Sequence, residues 1–256
     1  MVPKNKTLLV VRTPSGLSGD MWVAGLARMA GIDASGLEAL IRQIGLPLLE
    51  GSLSIEAASV GAISGWRALV NLPEEKTDRP YGEIKKMLAQ SPLRPLAKGY
   101  AEAAFALLAE AEAEVHGHPL SEVAFHEVGA LDSLLDICLA AALFERIGPA
   151  GIFCSPLPIC DGVAACRHGL LSTPVPAVLK LLKGIPVYGV DSQGETVTPT
   201  AVALLKAFDA RFGPWPEMVL SRVDHVFGGR SLPNLPNGAI FALGQSYSEG
   251  LHAEHI

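Results

Sequence analysis

"TLLVVRTPSGLSGDMWVAGLARMA", residues 7–30, decides the fold class. Residues 7–11 form an apolar, β-branched run too short for a helix and closed by Arg12 and Pro14, so a short buried strand is predicted there. The turn "PSGLSGD" then leads into a helical pattern over 19–30. A strand that passes through one turn into a helix calls for helices laid on a sheet, an α+β or mixed α/β protein.

The pattern continues outward from this unit. A second helix is expected over 34–44, then two strands, 53–60 and 62–72, joined tightly around Gly61. Residues 74–79 read as a polar connector. Helices are predicted over 81–90 and 96–116, the latter with Phe105, Leu108 and Val115 in an Ala-rich background. "GHPLSE" breaks the pattern, and a further helix over 131–147 is closed by Gly148 and Pro149. In the second half, the strand-like "IFCSPLPI" and "IPVYGV" alternate with two similar helix starts. Thr173 followed by Pro174, and Thr198 followed by Pro199, each offer an N-cap and a first-turn proline. Late strands are expected over 217–226 and 239–243. The reading is α+β with short strands and Ala-rich helices, divided into subdomains at 1–148 and 149–245 with a polar tail over 246–256.

Composition narrows the function. The chain has 256 residues, 49% hydrophobic and 18% charged, which describes a globular protein with an ordinary core. The longest uninterrupted apolar run, 137–144, is far below the ~20 residues of a membrane span. Lys4 and Lys6 precede too short an apolar segment for a secretory signal, so the cytoplasm is the expected location. The four cysteines, Cys138, Cys154, Cys160 and Cys166, form no CxxC pair and are expected as reduced thiols. A net charge of -6 without a Lys/Arg cluster excludes a general nucleic-acid binder. From 101 to 136 there are eight acids and no Lys or Arg, a stretch that raises local cation concentration.

Four places combine chemistry-bearing residues. In "AFHEVGALDSLLD", residues 124–136, His126 and Glu127 precede a helix that carries Asp132 in its first turn and Asp136 one turn later on the same face. One imidazole with several carboxylates suits a divalent cation, and helix-dipole pairing with solvation explains the same residues. His116 and His118 sit at the end of the acidic helix, where a histidine commonly satisfies terminal carbonyls. "SGLSGDM" could cradle an anion on its amides, but Asp20 would repel a phosphate unless a cation bridged them; simple capping is the other reading. Cys166 and His168, two apart, would face one way on an extended segment and could offer sulfur and nitrogen to a metal; a buried thiol and a hydrogen-bonded histidine explain them equally well. Thr198 and Thr200 read either as caps or as phosphate contacts. No GxSxG elbow and no GxGxxG fingerprint is present.

Taken in order, "SGLSGDM", "AEAEAEVHG", "FHEVGALDSLLDI", "SPLPICDG", "CRHGLLSTPVPAVLKLLKGIPV" and "GETVTPTAVALLKAF" resemble the LarC family of nickel-insertion proteins, over most of residues 7–237. The resemblance implies a nickel chelatase of the lyase class. Such a protein inserts nickel into pyridinium-3,5-bisthiocarboxylic acid mononucleotide, completing the nickel-pincer cofactor of lactate racemase and related enzymes, with CTP and a divalent metal such as Mg or Mn. It implies metal positions at His126, Glu127, Asp20, His168 and Cys166, to which the helix spacing adds Asp132, and ligand-binding positions at Ser18, Gly19, Thr198 and Thr200. Homo-oligomerisation is expected, with no nucleic-acid or membrane partner. Full-length members carry a further C-terminal domain associated with CTP, so that chemistry is expected from a separate partner domain. Arg12, Thr13 and Pro14 stand where the family has Asp-Cys-Phe, Ala124 where it has a second histidine, and Asp224 to Gly228 where it has a glycine loop. These departures keep two other readings open: a non-catalytic binding or assembly module, and a metal-dependent phosphate-ester hydrolase.

Overall fold

Leu8, Leu9, Val10 and Val11 are all fully buried, so the strand β1 (Thr7–Arg12) has both faces covered and belongs at the centre of a sheet. The computed structural model describes residues 6–73, 78–125, 131–166, 169–236 and 238–247. After β1 come α1 (Gly19–Ala30), α2 (Ala34–Arg42), the hairpin β2 (Leu53–Val60) and β3 (Ile63–Val70), and the short β4 (Arg79–Pro80). Next are α3 (Tyr81–Gln90), α4 (Pro95–His116), β5 (Ala124–Phe125) and α5 (Leu131–Ile147). Then follow β6 (Gly151–Cys154), β7 (Leu157–Ile159), β8 (Gly162–Cys166), β9 (Gly169–Thr173), α6 (Pro176–Leu181) and β10 (Val187–Gly189). The described chain closes with α7 (Pro199–Ala207), β11 (Arg211–Phe212), β12 (Met218–Val226) and β13 (Ala239–Ser246).

Seven strands form one mixed sheet in the order β11-β6-β1-β13-β12-β3-β2, with β1 parallel to β6 and antiparallel to β13. Each buried strand therefore finds partners far away in sequence: Thr7 faces Gln245 and Val11 faces Cys154. This is the expected α+β architecture, and the sheet draws strands from both sides of residue 148. Helix α1 lies against the sheet and packs on α5; α4 packs on α5, α6 and α7. Among the described residues no helix is long and apolar enough to cross a membrane.

One apolar cluster joins these layers from Leu9 to Phe241. Its aromatic centre is Trp22, which meets Phe208 and Phe241 edge-on with ring centroids 5.5 and 5.4 Å away. Phe144 stacks on Phe208 at 4.0 Å, and Tyr100 stands edge-on to both. The indole N–H of Trp22 donates to the Ala201 carbonyl at 3.3 Å, so its polar end is satisfied inside the core.

Three expectations are corrected. Thr173 does not cap a helix: it ends β9, its hydroxyl donates to the Cys160 carbonyl, and α6 starts at Pro176 behind Val175. The predicted tail begins too early, because β13 runs through Ser246, whose hydroxyl accepts from the Lys6 N–H. The acidic stretch is not uncompensated. Glu114 accepts from Lys180 and Lys183 on and just after α6, at 2.6 and 2.9 Å, which lowers its carboxyl below the usual range, and Glu112 lies 3.2 Å from His116. The bases are absent locally but arrive through tertiary packing.

Candidate functional site

The site is built where β1 gives way to α1. Thr13 is fully buried, and its N–H donates to the Ser155 hydroxyl at 3.0 Å, tying the end of β1 to the segment after β6. Gly16 sits at φ 107°, where a Cβ would run into the Thr196 backbone. That close approach lets the Leu17 N–H donate to the Thr196 carbonyl at 2.9 Å, and the Thr198 N–H donate to the Leu17 carbonyl at 3.1 Å. The resulting bridge sets the starts of α1 and α7 side by side.

The two starts differ. The Thr198 hydroxyl accepts from the Ala201 N–H at 3.3 Å, the capping its sequence predicts. Ser18 occupies the N-cap position of α1 but makes no side-chain cap; its hydroxyl donates to the Asp20 carboxylate instead. The first-turn amides of α1 thus have no side-chain cap, and the positive end of its dipole faces outward. Between the two helix starts lies a cleft of about 270 Å³ whose lining includes Ser18, Asp20, Thr196, Thr198, Gly228 and Arg230. Gly228 packs closely here: a Cβ would lie 3.2 Å from the Met21 sulfur and 3.4 Å from the Ser18 hydroxyl. Arg230, with its side chain 78% exposed, lies 3.7 Å from Glu195.

Beneath α1's first turn is a group of carboxylates. A Cβ on Gly19 would sit 2.9 Å from the Asp136 carboxyl carbon, so the absence of a side chain there is what admits Asp136. The Asp136 Oδ1 is fully shielded and has no hydrogen-bond partner among the described residues. Burial, then Asp20, then Asp132 push its carboxyl well above the ordinary carboxylate range. Asp132 is engaged locally, accepting from the Ser133 N–H at 2.7 Å. Asp136 is therefore not the solvated residue that an isolated helix would imply.

Of the sequence-predicted positions, Ser18, Asp20 and Thr198 line the one cleft, and Gly19 packs directly on Asp136. Asp132 is close enough to Asp136 to bias its protonation. Thr200 is buried in the first turn of α7 and does not line the cleft. Cys166 ends β8 opposite Gly169, while His126, Glu127 and His168 lie outside the described residues. Among the described residues no three His, Cys, Asp or Glu converge closely enough to hold a metal. Asp20, Asp132 and Asp136 are accordingly an electrostatic group rather than a closed coordination shell. Cys138 and Cys154 are free thiols whose burial pushes each up to about 12, which keeps both protonated at neutral pH.

Arg230, Glu195 and the pair Gly228 and Gly229 escaped the sequence reading. The signal was available in "FGGR" directly after a predicted strand, but that stretch reads first as the remnant of a longer glycine loop. Arg12 is structural: its guanidinium donates to the Gly213 carbonyl at 2.7 Å.

A family model described as nickel insertion protein matches residues 9–255. A relative from Geobacter sulfurreducens is 41% identical over 223 residues, covering 87% of this chain and 57% of the relative. Another from Geobacter metallireducens is 37% identical over 232 residues, covering 91% and 59%. A third from Geotalea daltonii is 34% identical over 242 residues, covering 94% and 62%. All three have "nickel insertion protein" in their names, and the chain spans about three fifths of their length. No solved structure matches.

Proposed function

The chain belongs to the nickel insertion protein family, and from that membership we propose that it holds a nickel ion as cargo and passes it to an organic sulfur ligand. The proposed acceptor is pyridinium-3,5-bisthiocarboxylic acid mononucleotide, the precursor of the nickel-pincer cofactor. The observation that carries this reading is Asp136. A shielded carboxylate oxygen with no hydrogen-bond partner among the described residues, beside two further acids, is a destabilising arrangement in the absence of a cation and a favourable one in its presence.

Asp20 and Asp136 would supply oxygen donors, Asp132 would add negative charge beside them, and His126, Glu127, Cys166 and His168 are the further proposed ligands. Carboxylate and imidazole hold Ni²⁺ less firmly than two thiocarboxylate sulfurs do, so transfer toward the softer donors is downhill. The residues of this chain would orient the ion and keep water from it, while the acceptor's sulfurs complete the exchange. Any CTP-dependent step, with Mg or Mn, is proposed for a C-terminal LarC-like domain, in a homo-oligomeric assembly.

Calorimetric titration with Ni²⁺ tests the proposal. Wild-type protein should bind, and Asp136→Asn and the double variant His126→Ala, Glu127→Ala should each bind at least about tenfold more weakly. A wild type that takes up no nickel, or variants that match it, would overturn the assignment.

A further inference from the structure

Arg230 is the basic residue among those lining the cleft between α1 and α7, and the nickel reading makes no use of it. Its partner Glu195 is only 17% exposed, while the guanidinium itself is 78% exposed and 3.7 Å away. An ion pair that open to solvent is weak, so the guanidinium can exchange one anion for another. Across the cleft stand Thr198 and the first turn of α1, whose amides lack a side-chain cap. Two helix starts, of twelve and nine residues, therefore direct their positive ends toward the space Arg230 borders. Gly228 and Gly229 line the same space without side chains.

Asp20 opposes this, since a carboxylate in the first turn repels an incoming anion. The Asp136 carboxyl lies directly beneath Gly19 at the same helix start, its Oδ1 shielded and without a hydrogen-bond partner among the described residues, which suits a cation there. A divalent ion between Asp20 and Asp136 would turn the acid from a repulsive neighbour into part of a metal bridge to the anion.

We infer that the cleft between α1 and α7 is a subsite for a phosphate monoester, with Arg230 as its specificity-determining contact and a divalent cation at Asp20 and Asp136 as counter-ion. This deepens the nickel reading, on which it rests for the cation. A planar guanidinium reaches two phosphate oxygens at once, which a hydroxyl-lined cleft alone does not provide.

The intact protein is titrated with inorganic phosphate, followed by ³¹P line broadening, with and without Mg²⁺. Saturable binding is expected, about tenfold or more weaker in Arg230→Gln and partly restored in Arg230→Lys. Mg²⁺ should tighten binding in the wild type and have no such effect in Asp136→Asn. Circular dichroism establishes that each variant is folded. No saturable phosphate binding by the wild type, or an Arg230→Gln titration identical to it, overturns the subsite. Nickel titration of Arg230→Gln separates the two ideas: its nickel affinity should equal the wild type's. Phosphate binding that depends on Arg230 in a protein that binds no nickel would uphold the anion contact and overturn the nickel reading instead.

Discussion

Burial, with Asp20 and Asp132 nearby, makes the ionised form of Asp136 costlier in the fold than in the unfolded chain. Its raised folded value means that stability is complete below the ordinary carboxylate range and declines as pH rises from there through the folded value. Asp136→Asn should therefore stabilise the metal-free protein at pH 7 by on the order of 1 kcal/mol, roughly 2–4 °C in Tm. The gain should vanish near pH 3, and thermal unfolding at both pH values checks it. Gly16 is the complementary case. With φ at 107° and the Thr196 carbonyl where a Cβ would go, Gly16→Ala should break the bridge between Leu17 and Val197 and destabilise the protein by about 3 kcal/mol or more, as measured by urea denaturation. Neither effect is legible in the chain. "TPSGLSGD" announces a turn, but which glycine meets another backbone depends on Thr196, 180 positions later. The same holds for Asp136, whose place on the helix face could be counted while its burial under Gly19 could not.

Among the elements, those with strong local signals stand where the pattern predicts. Helices α3 and α5 keep the predicted bounds: α3 has an apolar period at Ile84 and Leu88, α5 a long apolar run over 137–144, and each has a break on either side. The hairpin of β8 and β9 was not anticipated. Val163 and Leu170 are 63% and 76% exposed, so these apolar side chains point to no buried face that a sequence pattern could reveal. Thr173 and Thr198 show how little a local motif decides: both precede a proline, but only Thr198 has a free amide three residues on within reach. Thr198→Ala should cost about 1 kcal/mol of stability in urea denaturation. It should also loosen the helix start that borders the cleft. Trp22 belongs to the same scale, since it locks α1 to the aromatic rings of Phe208 and Phe241. Trp22→Ala should destabilise by about 3–5 kcal/mol, read as a shift in the denaturation midpoint.

At the scale of the whole molecule, the sheet order is the least legible feature. Composition and periodicity predict strands and helices, but nothing local says that β13 sits between β1 and β12, or that β1 takes β6 as its other neighbour. Those pairings are chosen by burial on both faces, a property of the assembled core. Deleting residues from 237 onward should remove a central strand rather than a tail. The expected result is loss of cooperative thermal unfolding by circular dichroism, whereas deleting from residue 248 should leave the transition in place. The candidate site depends on the same assembly, because α1 packs both on α5 and on the sheet that β13 completes.

The position of β13 also bears on biosynthesis. Gln245 closes against Thr7 from 238 residues away, so the strand that fills the middle of the sheet leaves the ribosome long after β1. At about 5–20 residues per second, β1 waits on the order of ten to fifty seconds for its partner. Throughout that interval, the hydrogen-bonding edge of β1 destined for β13 is open to any passing strand. Nascent chains should therefore lean on chaperones that shield such edges until β13 emerges, and slow codons between α7 and β13 should lower the soluble yield.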